Sequence, residues 1–230
     1  HDKKDMAEYL LSIGADYNIC TKGGWNVAHT VCEQDNLEIL KLIIESVPDA
    51  TSRSQFVNKK LDDGETPLFL ACKHDKKDMA EYLLSIGADY NICKKGGWNI
   101  AHVICEQGNL EILKIIIESL PDDSSRSKFV NKQSDSGVTP LYLACKHGNK
   151  DIAEYLLSIG ADYNICTKGG WNIAHVACGT DNLEILKLII EGFTDDTLRS
   201  KFVNKQSDSG STPLYLACSH GKIMTEYLLS

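Results

Sequence analysis

The chain has 230 residues, 43% of them apolar and 24% charged, which supplies a core and argues against disorder. Its net charge is −8 and no Lys or Arg run exceeds two residues. That balance argues against nucleic acid or an anionic membrane as the main partner, since both need clustered positive charge. No apolar run approaches the roughly 18 residues of a membrane span, so no direct membrane insertion is expected of this segment. The chain opens on His1 and stops within a helical pattern, as expected of a piece cut from a longer array.

In chain order, the first stretch is His1 to Leu11, apolar on one side and charged on the other. It returns verbatim at His74 to Leu84 and closely at His147 to Leu157, a period of about 73 residues. Next comes Gly24-Trp25-Asn26-Val27-Ala28-His29, which opens a short helix through Cys32; a second apolar helix follows from Leu37. After that helix stand the extra residues of the block, in the second copy Ser119 to Asn131. Pro121 ends or kinks the helix there, and Asp123 or Ser124 caps a short extra turn carrying Phe129 inward.

The stretch Gly64-Glu65-Thr66-Pro67-Leu68-Phe69-Leu70-Ala71-Cys72 recurs at Gly137 to Cys145 and Gly210 to Cys218. Its threonine can cap a helix, and its proline fits the first helical position, where no donor is lost. Each block is therefore two related repeats, a Thr-Pro repeat and a longer Trp repeat, each a pair of helices too short to be stable alone. Their apolar faces must be buried by the next copy. Gly108, Gly148 and Gly221 follow first helices where other copies have Asp35, Asp75 and Asp181, which marks a left-handed residue. The last copy, from His220, is one residue shorter than its counterpart, and a tightened turn is expected there.

The Gly-x-Thr-Pro-Leu-x-x-Ala motif, the two-helix repeat of about 33 residues and the Gly-Ala-Asp-x-Asn segment before the next turn resemble ankyrin repeats over essentially the whole chain. The Trp repeats depart from that pattern: Asn26, Asn99 and Asn172 replace the threonine, while His29, His102 and His175 keep the family's histidine position. The resemblance implies an all-α ankyrin-repeat solenoid of stacked helix-turn-helix units with hairpin-like finger loops and a concave groove. The expected division is a partial repeat at 1–20, repeats at 21–60, 61–93, 94–133, 134–166 and 167–206, and a partial one at 207–230.

It also implies a non-enzymatic scaffold for a protein partner, with no cofactor. The alternative is a segment of a larger membrane channel, toxin or enzyme, acting as a spring or assembly surface. By analogy with the family, Trp25, Trp98 and Trp171 sit at the base of the fingers. Two readings of them stay open: aromatic anchors for a partner, or packing on the neighbouring finger. The first-helix ends Glu33, Gln34, Lys73, His74, Glu106, Gln107, Lys146 and His147 are implied to face the groove, and Glu65 and Val138 join this candidate surface.

Nine cysteines occupy three repeating positions: Cys20, Cys93 and Cys166; Cys32, Cys105 and Cys178; Cys72, Cys145 and Cys218. Two of these series need a small apolar residue, which a free thiol supplies. The odd count and the lack of an Asn-x-Ser/Thr acceptor point to a reducing, cytoplasmic setting. His29-x-x-Cys32 and its copies raise zinc or a Cys-His nucleophile. The Cys-x-x-Cys and His-x-x-x-His spacings of structural zinc are missing, and no third orienting group recurs. Buried histidines bonded to a neighbouring turn are the expectation, and neither metal ligands nor catalytic residues are assigned.

Overall fold

The computed structural model describes residues 2–220, so the shortened turn expected beyond His220 lies outside the described residues. Among them are fifteen helices and no strand, in agreement with the all-α expectation. They fall into two compact units, one of His1–Lys95 with Glu111–Ser119 and one of Gly96–Leu110 with Leu120–Ser230.

The first unit contains α1 (Asp2–Ser12), α2 (Val27–Glu33), α3 (Leu37–Ser46), α4 (Ala50–Val57), α5 (Pro67–Lys73) and α6 (Lys77–Ser85). Here α2 packs on α3 and α5, and α5 packs on α6. The second unit contains α7 (Ile100–Gln107) and, after α8 (Leu110–Ser119), continues with α9 (Asp123–Val130), α10 (Pro140–Lys146) and α11 (Lys150–Ser158). Then follow α12 (Ile173–Gly179), α13 (Leu183–Glu191), α14 (Asp196–Val203) and α15 (Pro213–His220). In it α10 lies between α7 and α12, and α12 also packs on α15.

The short first helices form because both of their ends are fixed by the sequence. In the Thr-Pro repeats the hydroxyls of Thr66 and Thr139 accept from the backbone N–H groups of Phe69 and Tyr142, both at 3.2 Å, and proline takes the first position. In the Trp repeats Asn26, Asn99 and Asn172 do this, each accepting from the N–H of the histidine three residues on. The reversal after the helix is left-handed as expected: φ is 59° at Asp35, 58° at Asp75 and 53° at Asp181, and 85° at Gly108.

The block insertion is larger than the single turn anticipated. It makes the helices α4, α9 and α14, of 8 residues each. The cap of α9 is Asp122, not Asp123 or Ser124: Asp122 takes the extended backbone that a cap needs, and its carboxylate accepts from Ser125 N–H at 2.7 Å. Phe129 and Val130 at the end of α9 are buried, and so are Phe56 and Val57 at the end of α4. A side chain also ties each insertion to its own repeat. Asn99 Nδ2 donates to the Phe129 carbonyl at 2.9 Å, as Asn26 does to Phe56 and Asn172 to Phe202. One asparagine therefore caps the first helix and clamps the third.

Candidate functional site

The finger loops are held by backbone bonds. Thr21 N–H donates to the Trp25 carbonyl at 2.8 Å, and Asp62 N–H donates to the Gly23 carbonyl of the preceding finger at 3.1 Å. In the second unit the same links are Asp135 to Gly96, Lys168 to Ser136 and Asp208 to Gly169. Each tryptophan leaves its finger at the residue before the cap and rests on the histidine of the same helix. Trp98 and His102 have ring centroids 5.5 Å apart and planes 29° apart; the Trp25–His29 and Trp171–His175 pairs are both at 5.7 Å. All three tryptophans are half-buried.

The histidines themselves are fully buried. The Nδ1 of His102 accepts from Asn99 N–H at 3.2 Å and also lies 2.5 Å from Asn99 Oδ1, while its Nε2 faces the Val138 carbonyl at 3.0 Å. A carbonyl only accepts, so Nε2 carries the proton. Burial pushes His102 and His29 down to about 4 and lowers His175 as well, which keeps these rings neutral near pH 7. Cys32, Cys72, Cys105 and Cys145 are buried and their thiols are pushed up by desolvation, Cys178 to about 12. Thiols raised in this way are neither nucleophiles nor ready metal ligands at neutral pH. Among the described residues no cluster of three His, Cys, Asp or Glu groups stands ready to hold a metal, and no helix is long and apolar enough to cross a membrane.

The first-helix ends come together within each unit. Because α2 packs on α5, the exposed Glu33, Gln34, Lys73 and His74 lie on neighbouring helix ends. Because α7 packs on α10, half-buried Glu106 and the exposed Gln107, Lys146 and His147 likewise lie on neighbouring helix ends, where His147 Nε2 is 3.9 Å from Glu106 Oε1. Two members of the candidate surface stand apart. Val138 is half-buried and uses its carbonyl on His102. Glu65 is only 4% exposed, its carboxylate 3.2 Å from Lys73 Nζ and 3.5 Å from Lys94 Nζ. Lys94 is absent from the sequence-level surface, and its signal is that Thr21 and Thr167 hold the same position in the other blocks.

Sequence reasoning also missed a cavity of about 410 Å³ between a finger and the third insertion, lined by Tyr163, Phe193, Leu198, Lys201, Phe202 and Lys205 among others. Tyr163, Phe193 and Phe202 form a triangle with centroids 5.0 to 5.8 Å apart. The available signal was local. The insertions of the second and third blocks share Asp-Asp and Arg-Ser-Lys-Phe-Val-Asn, yet Leu120 and Ser125 become Phe193 and Leu198.

Comparison with known proteins agrees with this architecture. The family described as ankyrin repeats (3 copies) matches residues 1–94, 86–167 and 159–230. Among curated proteins, the chain is 24% identical over 200 residues to the nuclear factor NF-kappa-B p105 subunit of Gallus gallus, covering 86% of this chain and 19% of that protein. It is 26% identical over 196 residues to the probable 26S proteasome regulatory subunit p28 of Saccharomyces cerevisiae, covering 84% of this chain and 78% of that one. It is also 26% identical over 221 residues to the human transient receptor potential cation channel subfamily A member 1, covering 83% and 19%. With its full length matched by that repeat, the chain belongs to the ankyrin-repeat family.

Proposed function

We propose that this chain is a protein-binding scaffold whose contact surface is made of the finger bases and the ends of the first helices. Ankyrin repeats are non-catalytic interaction modules, and that much follows from the family. The finer assignment rests on one observation: each tryptophan packs on a buried histidine of its own helix and is itself only half-buried. Such a ring is already ordered before a partner arrives, so binding loses little side-chain entropy. The polar ends Glu33, Gln34, Lys73, His74, Glu106, Gln107, Lys146 and His147 form the rim of this surface, with Val138 and the Glu65 carboxylate behind it.

The test is retention of partners from native cells on the immobilised chain and on Trp98→Ala and Trp171→Ala variants. Each variant is first checked for unchanged helix content. A loss of about fivefold or more is expected, the size of one interfacial aromatic worth roughly 1 kcal/mol. Undiminished retention by both variants refutes the anchor role.

A second reading has the repeats working as a segment of a larger protein. It is favoured by coverage, since the chain spans 19% of the p105 subunit and 19% of the channel it resembles. The sequence of the full gene separates the two, because a pore or catalytic domain beyond the repeats would make them an assembly surface.

A further inference from the structure

The cavity beside α14 has a chemistry unlike the rest of the chain. Its volume of about 410 Å³ falls within the usual range for ligand pockets, about 300–1,000 Å³. Its apolar wall is the Tyr163, Phe193 and Phe202 triangle, and its charged groups are Lys201 and Lys205. Among the described residues no carboxylate lines it, in a protein of net charge −8. The acids at the start of α14 are already occupied: Asp195 accepts from Thr197 and Leu198 N–H, and Asp196 pairs with Arg199 at 2.5 Å.

The site is also particular to its block. Five insertion residues change between the second and third blocks, at Gly192, Phe193, Thr194, Thr197 and Leu198, while the flanking residues repeat unchanged. Two of those five, Phe193 and Leu198, line the cavity. In the second block the position of Phe193 holds Leu120, which is buried at 3% exposure; Phe193 is half-buried instead, so its ring forms a wall. Leu198 is 53% exposed where the other blocks have Ser52 and Ser125, and it adds exposed apolar surface to the cavity lining.

We infer that this groove binds an acidic peptide segment that lays one bulky apolar side chain against the half-buried Tyr163 and Phe193 rings and sets its carboxylates against Lys201 and Lys205. The apolar wall supplies the anchor, and the lysines select against the basic and neutral segments that an apolar wall alone would accept. A peptide suits the groove, because one extended segment can cover the exposed Leu198 together with the aromatic wall and both lysines. The site is separate from the Trp–His surface, and the inference goes beyond that reading.

The test is selection from a randomised twelve-residue peptide library displayed on phage, against the intact chain, against Phe193→Leu/Leu198→Ser, which restores the second block's residues, and against Lys201→Gln/Lys205→Gln. The expected outcome on the intact chain is enrichment of peptides with one aromatic or large aliphatic residue flanked by Asp or Glu. A synthetic copy of the leading peptide should lose at least about tenfold in affinity on either double variant, and its binding to the intact chain should weaken with salt. Trp98→Ala should bind it unchanged, which separates failure here from failure of the proposed scaffold surface. The inference is overturned if no such class is enriched, if the enriched peptides lack acidic residues, or if both double variants bind as the intact chain does. Binding of the aromatic acid 1-naphthoate without binding of any peptide also overturns it.

Discussion

His102 Nε2 donates to the carbonyl of Val138 at 3.0 Å, which joins a Trp repeat to the Thr-Pro repeat that follows it. His175 makes the same bond to Ser211 at 3.1 Å. His29 is the exception. The Glu65 carbonyl is near enough to raise its proton affinity, yet Nε2 closes no hydrogen bond among the described residues. A net hydrogen bond contributes about 1 kcal/mol, so His102→Ala should cost about 1 kcal/mol more than His29→Ala. Urea midpoints of the two variants decide it, and equal losses would mean that the inter-repeat bond adds nothing.

These rings also set an acid limit on the fold. In the unfolded chain a histidine takes its proton near pH 6.5, whereas burial holds His29 and His102 at about 4 when folded. Between those values the unfolded state binds more protons, so stability falls as pH drops through this window and the histidine contribution levels off below it. The ceiling is about 3 kcal/mol for each of the two rings, from 1.36 kcal/mol per pH unit. Asp49 and Asp122, whose capping bonds lower their pKa, add a further loss under more acidic conditions. Urea midpoints measured from pH 7.5 to 4.5 should decline steadily below about 6.5, and His102→Gln should flatten the slope. A flat profile down to pH 5 contradicts the assignment.

Much of this was legible in the sequence, because repetition made each position its own control. Thr66 and Thr139 as caps, Pro67 and Pro140 at the first helical position, and left-handed Asp35, Asp75 and Asp181 are all local consequences of residue type. The insertion was harder to read. Helices α4 and α9 carry almost no apolar periodicity, and the positions of Phe56 and Phe129 are fixed by asparagines thirty residues earlier. The candidate surface was the least legible part. By sequence Glu65 belongs to the candidate surface, yet it is buried with Lys73 and, from the next finger, Lys94 against its carboxylate.

That approach yields a third prediction. Glu65, Phe69 and Lys94 differ from their counterparts 73 residues on, Val138, Tyr142 and Thr167, and all three cluster in space. Lys94 Nζ lies 3.5 Å from the Glu65 carboxylate and 5.2 Å from the centre of the Phe69 ring. Glu65→Val alone leaves half-buried Lys94 without its carboxylate and should cost about 1–3 kcal/mol. Adding Lys94→Thr, which recreates the Val138 and Thr167 pair, should recover at least about 1 kcal/mol. A double-mutant cycle on urea midpoints measures this, and additive losses would mean that the two substitutions are independent.

The last prediction uses the reversal after the first helix, where the chain solves one problem with two residue types. Asp181 sits at φ 53°, a conformation costing a non-glycine residue roughly 1 kcal/mol or more, so Asp181→Gly should relieve strain. Glycine returns part of that gain through the entropy of the unfolded chain, which leaves a net stabilisation of up to about 0.5 kcal/mol. Gly108→Ala should act the other way. At φ 85° its new Cβ would stand 2.8 Å from Asn149 Oδ1, on the side chain whose Nδ2 donates to the Cys105 carbonyl at 2.8 Å. Backbone strain and displacement of that bond together should cost about 2 kcal/mol. Thermal midpoints should therefore move in opposite directions for the two variants. A shared direction would show that the left-handed backbone is not what selects these residues.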